Sequence, residues 1–458
     1  MVLRRPSSRQ GVGGVELVPS SAWESARRRL KQPVAKGHWP GLCACVFVGG
    51  RLRMVEELGF ADIEAKTPMT RKTLMRVYSM SKCIVAAAVM QLIEAGRISL
   101  DDELSKHIPA FADVKVVMEG PDGLPDFNRL VPSRRPIRIR HLLTHTSGIS
   151  CGLAPELDGP KQRTARERAW AGIYTALVDR VDRGDAKDLA DWVADLAKLP
   201  LQSHPGTSYA YGYSYDILGH LVELTSGKKL GRYLQDHVFK PLGMRDTGFE
   251  LQTSSRRLGV LYRRTKSRLW GSNGRSFRLV RVDPVKGKRS RWAKVCKVPS
   301  AGGGLSSLEG GLLSTMDDYA KFLLMVTSGG THPAGGQRIL GKQSADFMMS
   351  DFCELLRVNG RLPSCARPYD DPGLGLSGLG ELLRQRAPCW GRWFDGVPGV
   401  LQWGGAASCA FKFDPKGSIL TLVMTQALPQ DDGTTITRLL QDARQVVQSQ
   451  SESSVQVS

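Results

Sequence analysis

No apolar run reaches the roughly 18 residues that a membrane-crossing helix needs, so no transmembrane helix is expected. The first residues, MVLRRPSSRQGVGG, carry arginines with no apolar run behind them, which excludes a secretory signal. The stretch contains Arg and Ser and is free of acids up to Glu16, so it reads as a frayed terminus or as a mitochondrial or plastid transit peptide. Nine cysteines, an odd number, include no C-x-x-C pair. That argues against a disulfide framework and for thiols in a reducing compartment. The expected location is the cytoplasm, with the mitochondrion or plastid as the alternative. Acidic residues are scarce in one place: between Thr253 and Ser300 stand 15 Lys and Arg against Asp283 alone, a local charge of +14. The whole chain of 458 residues carries +20, so its basic character belongs mostly to that segment. With 41% hydrophobic and 24% charged residues it is otherwise an ordinary globular composition, long enough for one large core or two domains. No internal repeat occurs.

What is present has a clear order. GLCACVFVGGRLRMVEELGFAD, from Gly41 to Asp62, reads as two strands joined at Gly49-Gly50. CAFKFDPKGSILTLVMTQ, from Cys409 to Gln426, reads as a second hairpin with Asp-Pro-Lys-Gly at its turn. Ile436, Leu439, Leu440, Ala443 and Val447 then recur at helical spacing. From about Ser79 to about Glu250 the patterns are mostly helical, including YDILGHLVELTSG with its stop at Gly227. The expected fold class is therefore α/β (α+β): an antiparallel sheet flanked by helices, with an inserted all-helical domain. The expected boundaries are 37–78 plus 295–447 for the α/β domain and 79–252 for the helical one. Residues 253–294 form a basic insertion, 1–36 a partly disordered extension and 448–458 a disordered polar tail.

The chemistry-bearing motifs are individually modest. S-x-x-K occurs at Ser79 to Lys82 and again at Ser226 to Lys229. The second lies in TSGKK, a polar turn. The first opens a run in which eleven of the thirteen residues from Cys83 to Ala95 are apolar. There the serine lies near the free N–H groups of a helix start, and a lysine withdrawn from water on the same face is a candidate acceptor for its proton. The competing reading is a serine N-cap with an outward-snorkelling lysine. SYAYGYSYDILG supplies Tyr209, Tyr211, Tyr213 and Tyr215 just before a helix, any of which could relay a proton or merely pack. Trp403-Gly404-Gly405 opens the C-terminal hairpin, where glycine allows a ligand close to a strand. GLGLSG, from Gly373, follows no strand pattern and carries little weight as a dinucleotide site. His141 and His145 have the spacing of a zinc pair but no further ligands beside them. Neither G-x-S-x-G nor a Walker A motif occurs.

In order, MRVYSMSK, GRISLDDELSKHIPAF, IRIRHLLTHTSGIS, YDILGHLVELTSGKKLGRYLQDHVFKPLGMRDTGF and GGLLSTMDDYAKFL resemble the serine β-lactamase-like superfamily. That superfamily includes class C β-lactamases, D-Ala-D-Ala carboxypeptidases and family VIII carboxylesterases. The resemblance runs from about Gly37 to Val447. It implies Ser79 as nucleophile, Lys82 as its proton acceptor and Tyr211 as the catalytic tyrosine. It further implies an oxyanion hole from the backbone N–H groups of Ser79 and Ala406, with Tyr213, Trp403, Gly404 and Gly405 on the substrate side. Trp403 stands where β-lactamases and peptidases carry a cation or histidine, and Tyr213 where they carry Asn or Ser. Both departures weaken a β-lactam reading, and Trp-Gly-Gly is similar to the esterase-like branch. The expectation is thus a serine hydrolase forming an acyl-enzyme on Ser79, with carboxylic ester hydrolysis or acyl transfer as its reaction and no metal or organic cofactor. The partner expected is a small ester or amide. The alternatives are β-lactamase or D,D-peptidase chemistry at the same site, or an inactive homologue that binds through its basic segment. Charge alone predicts only non-specific contact with nucleic acid, which is not expected as a partner.

Overall fold

The computed structural model describes residues 20–151, 164–249, 257–266, 277–282, 311–349, 400–430 and 433–455. Its first helix is α1 (Glu24–Ala35), followed by strands β1 (Gly41–Val48), β2 (Arg51–Asp62) and β3 (Thr67–Pro68). Near the C-terminus come β10 (Leu401–Gly405), β11 (Cys409–Asp414), β12 (Ile419–Met424) and β13 (Ala427–Leu428). These chain-end strands, β13 excepted, build one six-stranded sheet in the order β10-β11-β12-β1-β2-β3, antiparallel throughout. Both hairpins expected from the sequence are present, with Gly49 and Gly50 at positive φ in the first turn. A short antiparallel pair, β4 (Met75–Arg76) with β9 (Leu313–Ser314), leads into the helices.

Side-chain alternation decides how the sheet is covered. In β1, Leu42, Ala44 and Val46 enter one apolar cluster while Cys43 and Cys45 enter another, and β12 splits the same way between Ile419 and Val423 on one side and Leu420, Leu422 and Met424 on the other. A strand buried on both faces needs helices on both. The first cluster is closed by Trp23, Ala26 and Leu30 beside Ile436, Leu439, Leu440 and Ala443 of the C-terminal helix, Thr434–Val455. The second face receives α2 (Ser81–Glu94), whose residues from Ser81 to Met90 are all buried.

Beyond α2 lie α3 (Ile139–Leu143), α4 (Ala165–Arg183), α5 (Leu189–Leu196) and α6 (Ser214–Ser226), then α7 (Met316–Thr327). The C-terminal helix, Thr434–Val455, is α8. One buried cluster continues from the sheet through α2 into this helical block, taking in Tyr174, Trp192, Leu218 and Leu221. Helix α6 stops at Gly227, which takes the left-handed conformation at φ 71°.

Four features differ from the sequence reading. Residues 24–35, assigned there to an extension, form a helix because Trp23, Ala26 and Leu30 supply one apolar face for the sheet. Ser449 to Val455, assigned to a polar tail, continue α8. A hairpin, β5 (Lys115–Glu119) with β6 (Pro125–Pro132), interrupts the helical block. The basic segment holds β7 (Tyr262–Lys266) and β8 (Phe277–Arg281), and β7 pairs in parallel with β13. Tyr262 donates to Glu64 and accepts from Ile63 N, and Arg281 pairs with Asp62 and Glu64, which fastens this hairpin to the end of β2. Apart from residues 257–266 and 277–282 that segment, including Trp270, Asp283 and Trp292, lies outside the described residues, as do residues 1–19 and Gly373 to Gly378.

Candidate active site

Ser79 lies in a single 3-10 turn, Tyr78–Met80, that feeds directly into α2. The turn is held from three sides. Trp403 Nε1 donates to the Ser79 carbonyl at 2.8 Å, Tyr319 Oη on α7 donates to the Met80 carbonyl at 2.9 Å, and Val77 N donates to Leu312 O at 3.1 Å. Tyr78 is fully buried and takes a positive φ of 46°, a conformation that non-glycine residues hold only where the surroundings over-determine it. These contacts leave Ser79 half-buried at the mouth of a helix that is otherwise enclosed.

The Ser79 hydroxyl is 2.7 Å from Tyr211 Oη and receives a hydrogen bond from Lys82 Nζ at 3.3 Å. Lys82 is only 3% exposed, and its ammonium sits 4.7 Å from the centre of the Tyr211 ring. Two polar groups therefore converge on one oxygen. The helix geometry brings Lys82 one turn along from Ser79, while the tyrosine arrives from a chain position 132 residues away.

The other candidates separate cleanly. Ser226 donates to Val222 O at 2.6 Å, and Lys229, largely exposed, pairs with Asp188 at 2.9 Å. That S-x-x-K is a helix end and nothing more. Ser81, two residues after Ser79, is fully buried and accepts from Leu312 N at 3.0 Å. Tyr215 donates to Leu143 O at 3.0 Å. Tyr213 is 4% exposed and lies against Trp192 and Tyr174, with ring centres at 5.1 and 5.5 Å. The substrate-side position implied for Tyr213 is thus taken by core packing. The structure brings together Ser79, Lys82, Tyr211 and Trp403, and sets Tyr213 apart from them.

Strand β10 ends against the turn that carries Ser79. A Cβ on Gly405 would stand 2.3 Å from the Val77 carbonyl oxygen, so only glycine lets the strand come this close. Ala406, next along, packs against the small cluster of Tyr78, Leu261, Ala407 and Leu428. Gly404 points to the other side, where a Cβ would meet the Gln430 amide at 2.7 Å. Trp403 is 8% exposed, and its ring centre is 6.2 Å from that of Tyr211. Its indole N–H is committed to the Ser79 carbonyl, so Trp403 supports the turn as well as lining the site. Trp403→Phe removes that donor and keeps an aromatic ring. We expect kcat to fall about fivefold with KM within about twofold of wild type, since one hydrogen bond is worth about 1 kcal/mol. A rise in KM with kcat unchanged would instead mark Trp403 as chiefly a substrate contact.

The loop that presents Tyr211 is gripped by residues 145–151, a stretch whose role the sequence did not disclose. Ala210 N donates to His145 O at 2.7 Å, and the Cys151 thiol donates to Tyr211 O at 3.4 Å. A Cβ on Gly212 would lie 2.4 Å from the Ser150 carbonyl. His145 is 2% exposed, takes φ 53°, and places its ring 4.7 Å from Tyr211 and 5.2 Å from Tyr215. The only hint in the sequence is the His141/His145 spacing, and the two histidines have separate jobs. His141 accepts from Arg138 N at the start of α3, and burial, together with Arg140, Arg135 and Arg138, pushes its pKa down to about 4. Among the described residues no group of three His, Cys, Asp or Glu could hold a metal ion.

A model of the beta-lactamase family matches residues 26–445. Esterase EstB of Burkholderia gladioli is 29% identical over 426 residues, 88% of this chain and 90% of that protein. The monacolin J acid methylbutanoyltransferase of Aspergillus terreus is 26% identical over 368 residues, 80% of this chain and 79% of the relative. A solved structure described as EstCE1, a hydrolase with promiscuous acyltransferase activity, superposes with a TM-score of 0.62 at 22% identity, over 93% of this chain and 98% of that one.

Proposed function

The chain belongs to the beta-lactamase family, and from that premise we propose that it is a serine hydrolase acting on carboxylic esters, or transferring their acyl groups, through an acyl-enzyme on Ser79. The observation that carries this reading is the convergence of Tyr211 Oη and Lys82 Nζ on the Ser79 hydroxyl. The proton of Ser79 passes to the Tyr211 oxygen, whose negative charge the Lys82 ammonium balances, while the Ser79 Oγ bonds to the ester carbonyl carbon. The negative charge that develops on the carbonyl oxygen is met by the backbone N–H groups of Ser79 and Ala406, fixed donors that need no rearrangement. The carbon–oxygen bond to the alcohol then breaks, and the departing oxygen takes its proton through Tyr211. Water, or a second alcohol, gives its proton to the same pair and attacks the acyl carbon; the bond from that carbon to Ser79 Oγ breaks, the proton returns to Oγ, and the acid or new ester leaves.

The ester preference is supported by Trp403, which occupies the place of a carboxylate-recognising cation, and by the printed names of the esterase and acyltransferase relatives. The substrate class is a small ester. No helix among the described residues is long and apolar enough to cross a membrane. Among the described residues Cys43, Cys45 and Cys409 are buried free thiols, which supports a reducing compartment such as the cytoplasm.

Two measurements on the wild-type protein test this. A fluorophosphonate probe should label the protein once, with the adduct mapped by peptide mass spectrometry to Ser79. A short-chain nitrophenyl ester should turn over faster than a chromogenic cephalosporin at equal concentration. A label on another residue sinks the assignment of the nucleophile. Faster cephalosporin turnover keeps Ser79 and moves the substrate to β-lactams.

A further inference from the structure

His145 is an expensive residue for its position. It is 2% exposed, and neither ring nitrogen meets a hydrogen-bonding group of the protein among the described residues. Buried polar atoms are nearly always paired, and two unpaired nitrogens on one side chain call for a reason other than stability. A phenylalanine would fill the same flat space with no polar atom to desolvate.

The surroundings indicate the reason. The imidazole lies between Tyr211 and Tyr215, tilted 38° to each, with Tyr209 at its edge. Tyr215 is itself fixed by its bond to Leu143 O, so His145 is the wedge between a rigid ring and the tyrosine that meets Ser79. Lys82 flanks the same tyrosine ring. Burial, and secondly the Lys82 charge, hold the His145 pKa well below its ordinary value, so the ring next to Tyr211 is a neutral dipole and not a second cation. Its backbone acts in the same direction, because the left-handed conformation at φ 53° aims its carbonyl at Ala210 N, the residue before Tyr211.

We infer that His145 is a positioning residue for the reaction, a polar ring packed against Tyr211 that holds the phenol against Ser79 and steadies it electrostatically as it gains and loses its proton. The inference rests on the acyl-enzyme reading above, because it assigns His145 no role except through Tyr211. A structural histidine, by contrast, would act on the fold and leave Tyr211 incidental.

The test is a double-mutant cycle between His145→Phe and Tyr211→Phe, read by steady-state turnover of a nitrophenyl ester and by the rate of fluorophosphonate labelling, with thermal melting alongside. His145→Phe should lower kcat at least about fivefold and leave KM within about twofold. In the Tyr211→Phe background the same substitution should change the labelling rate less than about twofold. His145→Asn, which suits the left-handed backbone but cannot stack as widely, should lose more activity and provides the comparison where the phenylalanine variant does not fold. Wild-type kcat in His145→Phe, or an undiminished loss in the Tyr211→Phe background, overturns the inference. A marked drop in melting temperature shared by both His145 variants also overturns it, since backbone strain at φ 53° would lower His145→Phe alone. Near wild-type turnover in Tyr211→Phe alone is a separate outcome: it removes the proposed proton carrier and with it the acyl-enzyme reading.

Discussion

Replacing Ser79 by alanine is expected to lower ester turnover by roughly 10⁴-fold and to abolish labelling by a fluorophosphonate, with little change in the melting temperature. The stability expectation follows from the site: the Oγ makes its contacts with Tyr211 and Lys82 at a half-buried position, and the turn itself is held by the carbonyls of Ser79 and Met80, which alanine retains. Lys82→Met, similar in length and without the ammonium, should cost a comparable factor. Its loss removes both the donor to Ser79 and the positive charge over the Tyr211 ring. Because the two residues act on one proton, the double variant should be no slower than the worse single one. Steady-state rates on a nitrophenyl ester, with circular dichroism to confirm folding, check all three. Additive losses would mean that Ser79 and Lys82 contribute separately and that the shared-proton mechanism is wrong.

Gly405→Ala is expected to be among the most damaging single-methyl changes in the molecule. The added carbon would stand 2.3 Å from the Val77 carbonyl oxygen and 3.3 Å from Tyr78 Cβ, and the first of these is backbone that cannot swing aside. Either β10 moves away or the nucleophile turn does. Overpacking of this kind costs about 1–3 kcal/mol, and the geometric cost is greater still, since a displacement of about 1 Å in a reacting group can cost about 10²-fold in rate. We therefore expect a lowered melting temperature and a kcat reduced by about 10²-fold or more relative to wild type. Gly404→Ala is the control on the adjacent residue. Its Cβ meets the end of the exposed Gln430 side chain at 2.7 Å, which can rotate away, and the Cys409 carbonyl at 3.1 Å, which must give only slightly. It should retain most activity. Equal damage from the two substitutions would show that the approach of β10 to Val77 does not set the geometry of Ser79.

The sequence reveals elements wherever one local rule governs. The β1–β2 and β11–β12 hairpins follow from apolar strands around Gly49-Gly50 and Asp-Pro-Lys-Gly, and α6 ends where glycine permits a left-handed residue at Gly227. Helix α2 is legible as buried because it has almost no polar face to expose. Elements held by distant partners are harder to see. Helix α1 has an ordinary composition, rich in Arg and Lys, and is ordered by three residues, Trp23, Ala26 and Leu30, that fit against α8 from the opposite end of the chain. Strands β7 and β8 look like an unbroken cationic loop until Asp62 and Glu64 are seen to hold Arg281 and Tyr262. Propensity measured over a window cannot register a partner that the window does not contain.

The same division runs through the site. By itself the sequence determined a short set of candidates: two S-x-x-K motifs, four tyrosines before a helix and a Trp-Gly-Gly strand. The family resemblance picks out Ser79, Lys82 and Tyr211, and only the tertiary structure shows how each candidate is placed. It pairs Lys229 with Asp188 and leaves Lys82 facing Ser79, and it sends Tyr213 and Tyr215 into the core and Tyr211 to the serine. It also turns Trp403, 324 residues from Ser79, into a donor for the Ser79 carbonyl. Against the tyrosine it sets a histidine whose ring has no hydrogen-bonding neighbour among the described residues. The reason is physical. Helix geometry fixes the approach of residues three apart, which is why Ser79 and Lys82 could be matched by spacing. Approach across a hundred residues or more is set by how whole elements pack, and spacing along the chain does not encode it.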